Sequence, residues 1–281
     1  MSQEIQFEVD LYSFDEFDGA ISEIKRHCDG PRPRLLFRGL ANSEWRLDTT
    51  YERWLPGTPK SFPISGYYRI IAQLKSQIES FTGHNWGEDI NPESDELKFN
   101  YYNAIHESPF PYYPYLVYLR HHGFPSPLLD WTSSEYIAAY FAFHGASDSL
   151  EGSNNRAAIY AFCEFPKGAK SDDSETARIR RFGPYVKTHP RHFNQKSQYT
   201  ICGKFDLGKW HFVPHDEVFT DPNRYKEQDY LWKITIPARE KGKVLRKLDQ
   251  FNLNSYSLFQ TEESMLDVMA FRIKDQIEGI E

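Results

Sequence analysis

Arg38 stands at the end of the apolar run Leu35-Leu36-Phe37, with Gly39 beside it, and much later the chain reads Asp130-Trp131-Thr132-Ser133-Ser134. A guanidinium at the end of a buried strand can clamp an oxyanion through paired N–H donors. A hydroxyl-bearing turn ahead of a helix supplies further polar contacts. Together they are what a cleft for an anionic cofactor needs. His121 and His122 precede the second segment, Gln195 follows it, and two late carboxylates, Glu262 and Glu263, stand near the C-terminus.

Each of these residues also has a reading without chemistry. Arg38 either meets a ligand or pairs with Asp130. Asp130 lies between an apolar pair and an indole, where an unpaired charge is costly, so it needs a partner. That partner is either Arg38 or the amides of its own turn, and the structural role is preferred. His121 and His122 end a helix, where a protonated imidazole suits the dipole, or His122 reaches a ligand. Neighbouring histidines point to different faces and no third ligand stands near, so no metal site is expected. Gln195 is a substrate contact or a turn contact. Glu262 and Glu263 are also good first-turn residues for a helix.

At 281 residues and a formal net charge of −7, the chain suits one large domain or two small ones. Aromatic residues make up 16% of it, which excludes a disordered chain. No apolar run approaches the roughly 18 residues of a membrane span. The first residues are acidic where a signal peptide is basic, so a cytoplasmic protein is expected. Cys28, Cys163 and Cys202 have no metal or redox spacing and read as reduced structural thiols. The acidic balance argues against nonspecific nucleic-acid coating. One basic run, Arg178, Arg180, Arg181, Lys187, His189, Arg191, His192 and Lys196, is either a solvated face or a lip beside a cleft for phosphates or nucleic acid.

These residues must be held by elements that the pattern makes visible. Residues 13–28 begin with a serine cap and read as a helix, and 35–37 as a buried strand. Trp45, Leu47, Thr49 and Tyr51 alternate as a second strand or extended segment. A helix is expected from about 68 to 82, with Ile70, Ile71, Leu74 and Ile78 on one face. Others are expected over 114–123, 133–143 and 238–251. Strands are expected at 158–162, 199–202 and 231–237. Residues 83–115 form an aromatic and polar insertion, with no linker or repeat elsewhere. The fold class is α+β, in one domain with helical insertions.

The blocks Phe37-Arg38-Gly39, His122-Gly123-Phe124-Pro125, Leu128-Leu129-Asp130-Trp131-Thr132 and Arg191…Gln195…Tyr199-Thr200 resemble the FRG-domain family over roughly residues 30 to 270. The family pattern has a proline- and glycine-bearing turn where this chain has Gln260-Thr261-Glu262-Glu263-Ser264, and a glycine where it has Ser197. The order of arginine, Trp131-Thr132-Ser133 and late acid is also similar to the Arg, Ser-Thr-Ser, Glu arrangement of ADP-ribosyltransferases. That likeness implies a single domain spanning residues 1–281, built on a split, mostly antiparallel sheet like the ADP-ribosyltransferase core. It further implies NAD as co-substrate and transfer of ADP-ribose to a macromolecule, nucleic acid or protein.

In that scheme Arg38 and Gly39 hold phosphate, and Thr132 and Ser133, with Trp131, hold the ribose. His122 and Gln195 contact ribose or amide, and Glu263 or Glu262 faces the developing cation. Cleaving the nicotinamide–ribose bond passes through an oxocarbenium-like state, and a fixed carboxylate stabilises it best in a water-poor cleft. No metal is required, because the leaving group is already cationic. The resemblance places such a protein among bacterial toxin or antiphage defence effectors, with an antitoxin or immunity partner and no membrane. Two alternatives stand beside it. One is NAD hydrolysis. The other is a non-catalytic module binding a nucleotide or protein, for which Tyr101, Tyr102, Phe110, Tyr112, Tyr113 and Tyr115 would form the surface.

Overall fold

The computed structural model describes residues 7–28, 34–54, 61–92, 112–147, 155–164, 166, 176–182, 190–219 and 229–278. Strand β1 (Phe7–Asp10) leads through a one-turn 3-10 helix into α1 (Phe17–His27). Ser13 and Glu16 form a reciprocal capping box at this entry. Phe17, Ile21 and Ile24 then fall on one buried stripe, as 3.6-residue spacing requires.

Next come β2 (Arg34–Leu40), α2 (Thr50–Trp54), β3 (Phe62–Pro63), α3 (Ile64–Thr82) and α4 (Tyr113–His121). After them lie β4 (Leu129–Thr132), α5 (Glu135–His144), β5 (Arg156–Glu164), β6 (Arg178–Phe182) and α6 (Pro190–Asn194). The chain closes with β7 (Ser197–Asp206), β8 (Lys209–Phe212), β9 (Asp229–Pro237), α7 (Lys241–Gln250), α8 (Ser255–Phe259) and α9 (Glu262–Glu278).

The strands form one mixed sheet in the order β1-β9-β5-β2-β4-β7-β8-β3, with β6 also on β7. Only the β1–β9 pair is parallel among the described strands. The ladder is uneven. β2 pairs with β5 along its whole length, from Arg34↔Glu164 to Leu40↔Ala158, but meets β4 at the single pair Phe37↔Thr132. The sheet therefore narrows to a seam one residue pair wide between β2 and β4.

Strand alternation sorts the side chains on each side of that seam. Phe37 faces α1 and α5 in one apolar cluster. On the same face beyond the seam, Tyr199 and Ile201 meet α3 and α4 in a second. Leu36, Leu40, Trp131, Tyr160 and Cys202 point the other way and form the third cluster with Val213, Val218 and Phe219. Arg38 belongs by alternation to this opposite face.

Most expected elements are present with shifted ends, and several expectations are corrected. Residues 45–49 join no ladder, so they are not a strand, and Tyr51 lies in α2. In α3, Ile71 is buried but Ile70 is 44% exposed, and Lys75 takes an interior position instead, donating to Gly87 O at 2.8 Å and pairing with Glu79 at 2.9 Å. Asp130 to Thr132 are strand, not turn, so the bend ahead of α5 is confined to Ser133 and Ser134. The basic run is not a solvated face throughout: Arg178 and Arg180 are buried in β6 and His192 is buried against Tyr199, while Lys196 is exposed. Lys187 and His189 lie outside the described residues. Tyr113 and Tyr115 are core rather than interface, while Tyr101, Tyr102 and Phe110, within the expected insertion, also lie outside the described residues.

Candidate functional site

The seam is where the sequence's candidate residues gather. Continuing the antiparallel register past Phe37↔Thr132 would set Gly39 opposite Asp130, but no ladder forms there. The Arg38 side chain occupies the gap, and its Nη1 donates to the Asp130 carbonyl at 2.5 Å. A guanidinium thus replaces the missing strand-to-strand bond. The Asp130 carboxylate lies 3.9 Å from the same nitrogen and is taken by Arg120 of α4.

Burial pushes the Arg38 guanidinium down to about 10 against the support of Asp130, while Arg120 and Arg53 push it the same way. It stays charged at neutral pH. The Nε atoms of Arg38 and Arg120 are buried donors with no acceptor among the described residues.

Gly39 has a packing reason. A Cβ there would stand 1.9 Å from Ala138 O and 2.6 Å from Ala142 N, so the glycine lets α5 lie directly on β2.

Trp131 is buried on the Arg38 face. Its Nε1 donates to Thr200 Oγ1 at 2.7 Å, and that oxygen shares a 2.9 Å hydrogen bond with His215 Nε2. Burial drives His215 down to about 3, the Arg38 charge adding to the effect, so the imidazole is neutral. Thr132 faces the other way. Its hydroxyl donates to Gln195 O at 2.8 Å and accepts from Ser134 N at 3.2 Å, fixing the start of α5. Ser134 caps that helix and Ser133 is exposed.

Gln195 links the turn to the late segment, its side chain donating to Leu258 O at 3.4 Å. Arg191 donates to Phe259 O at 3.4 Å and lies over the Phe259 ring. Glu262 and Glu263 occupy the first turn of α9. Glu263 is held below its usual range by its own main-chain amide, then Thr261, with a smaller pull from Arg191. His122 is exposed and packs its ring at a tilt against Tyr118, whereas His121 shares a 2.8 Å hydrogen bond with the Tyr199 hydroxyl.

The structure therefore brings Arg38, Gly39, Trp131 and Thr132 to one seam, with Arg38 and Trp131 on one face and Thr132 on the other. Thr132, Gln195 and the segment before Glu263 are joined by hydrogen bonds. Arg38 and Glu263 share no contact. Among the described residues, no three His, Cys, Asp or Glu side chains gather as metal ligands, and no helix is long and apolar enough to cross a membrane.

Arg120 and His215 are the participants that the sequence reading missed. For Arg120 a signal existed: Asp130 needs a partner, and Arg120 is the cation on the helix that leads into its strand.

Fold and site together describe a mixed α/β domain whose sheet is pinned at a seam by a buried arginine. Residues 33–151 match the family model of the FRG domain, a span that holds both the Phe37-Arg38-Gly39 and the Leu128-to-Thr132 blocks. Within that span the chain carries an FRG domain. Arg191, Gln195 and Glu263 lie beyond the matched span. No curated protein and no solved structure matches the chain.

Proposed function

We propose that the chain is an ADP-ribosyltransferase-like enzyme that uses NAD to modify a macromolecule, acting as a toxin or antiphage defence effector. One observation carries this reading: the sheet narrows to a single residue pair at a seam where Arg38 of β2 meets Trp131 and Thr132 of β4, with Ser133 at the bend that follows. A mostly antiparallel sheet with these residues at its weakest junction is compatible with the split sheet that the ADP-ribosyltransferase likeness implies. The spare buried donors on Arg38 and Arg120 fit an anionic group such as a pyrophosphate.

In this reading Arg38 binds phosphate, the exposed Ser133 hydroxyl meets the ribose, and Thr132, buried on the other face, fixes the bend that carries Ser133. Glu263, kept ionised beside Thr261 and Arg191, faces the cation that develops on the sugar. The bond from ribose C1′ to nicotinamide breaks and its electron pair leaves with neutral nicotinamide. A lone pair on the acceptor then forms the new bond to C1′, and the acceptor gives its proton to solvent. With water as acceptor the product is ADP-ribose.

A second reading, a nucleotide-binding module without turnover, is favoured by a different observation: Arg38 and Thr132 already spend hydrogen bonds on Asp130 and Gln195. Incubation with nicotinamide-labelled NAD and a cell extract separates the two. Nicotinamide release that vanishes in Arg38→Ala and Glu263→Gln supports the enzyme, and saturable binding without release supports the module. Absence of both release and binding rejects the two readings together.

A further inference from the structure

Away from the seam, α5, α7 and α9 enclose a cleft of about 720 Å³. None of Arg38, Thr132, Ser133, Gln195 or Glu263 lines it. Its volume lies within the few hundred to about a thousand cubic ångströms usual for small-molecule sites.

The lining is divided by chemistry. Leu245, Val268 and Phe271 provide an apolar wall, and Tyr140 and His144, whose rings stack at 5.0 Å, provide a flat aromatic one. Tyr140 is only 3% exposed, and its hydroxyl, beside Ser255, forms no hydrogen bond of good geometry among the described residues. A buried hydroxyl left in that state costs free energy that a ligand acceptor would recover.

Charge at the cleft is arranged unequally. Its three carboxylates are engaged: Asp249 by Arg272 at 2.8 and 2.9 Å, Asp267 by His144 at 3.0 Å, and Asp275 by Arg246 at 2.7 Å. Arg239 lines the same cleft, exposed, with no carboxylate partner among the described residues. Lys241 and Lys274 stand on its border too. Arg239 thus sets a positive charge at the opening of an apolar, aromatic interior.

We propose that this cleft binds a small organic anion with a flat apolar body, the rings and aliphatic wall taking the body and Arg239 the charge. The site is independent of the NAD reading, and its test does not involve the seam.

The probe is 8-anilinonaphthalene-1-sulfonate, titrated into the full chain by fluorescence and calorimetry beside N-phenyl-1-naphthylamine, which has the same body without the sulfonate. One saturable site is expected, with the anion preferred over the neutral compound by about fivefold. Ala270→Trp, at an exposed position on the cleft wall, should weaken binding by about tenfold or more while the circular dichroism spectrum and melting temperature hold. Arg239→Glu, a surface change that leaves folding intact, should abolish the preference for the anion.

Non-saturating binding overturns the proposal, as does equal affinity for the two compounds. So does affinity unchanged in Ala270→Trp, which would place the dye on the exposed Leu266, Met269 and Ile273 stripe of α9 instead.

Discussion

Arg38 holds Asp130 by the main chain and not by the side chain: its Nη1 lies 2.5 Å from the carbonyl oxygen and 3.9 Å from the carboxylate. The carboxylate is left to Arg120. Asp130 therefore joins two elements at once, with α4 on one face of the sheet and β2 across the seam.

This division predicts an order of effects. Arg38→Ala removes the donor that replaces a ladder bond and opens a gap in a packed seam, for a loss of about 2–4 kcal/mol. Asp130→Asn keeps the carbonyl and disturbs only a partly exposed ion pair, so it should cost about 1 kcal/mol or less. Urea unfolding of both variants checks the ranking. A larger loss for Asp130→Asn would mean that the carboxylate, not the carbonyl, secures the seam.

Two glycines should respond in opposite directions to the same change. Gly39→Ala forces a Cβ into the backbone of α5 at 1.9 Å, which only movement of the helix can relieve, at about 3 kcal/mol or more. Gly19, inside α1, has nothing within 4 Å of its added Cβ. Gly19→Ala should stabilise by about 0.5–1 kcal/mol through helix preference and a smaller unfolded-state entropy. Thermal melting of the two proteins decides it, and a tolerated Gly39→Ala would show that α5 can lift from β2.

Those contacts also explain what could be read from the sequence. The helices α1, α5 and α7 were legible because their apolar spacing is local, and Ser134 announced the start of α5. β5 and β9, apolar for most of their length, were equally plain. β6 was not, because Arg178-Ile179-Arg180-Arg181 has a surface composition, and its burial depends on pairing with β7. The seam could not be foreseen either. It depends on where β2 and β4 stop pairing, which is a relation between distant strands. The arginine and the threonine stand out by residue type, but which face each occupies follows only from the register.

The three thiols offer a test of burial that owes nothing to the seam. Cys28, Cys163 and Cys202 are 2%, 0% and 1% exposed. The hydrogen bond with Cys28, and then burial, holds the Cys163 thiol far above its ordinary range. Thiolate is the reactive form, so native protein should release almost no colour from Ellman's reagent, and denatured protein three equivalents. Fast reaction of one thiol in native buffer would mean that its packing opens readily.

His215 should make stability depend on pH in a definite direction. Its folded-state value is about 3, against about 6.5 for an unfolded histidine. Below pH 6.5 the unfolded chain takes up a proton that the folded chain refuses, so stability falls as pH drops from about 6.5 toward 3 and is complete above that window. At most one proton is involved, giving a slope of up to about 1.4 kcal/mol per pH unit. Protonation would place a second cation near Arg38 and remove the acceptor that Thr200 faces while it holds Trp131. Urea midpoints at pH 7, 6 and 5 should therefore decline more steeply in the native chain than in His215→Gln, even though the variant starts lower. Parallel slopes would mean that His215 titrates alike in both states, and that the hydrogen-bonded line from Trp131 to His215 does not set the acid sensitivity of the fold.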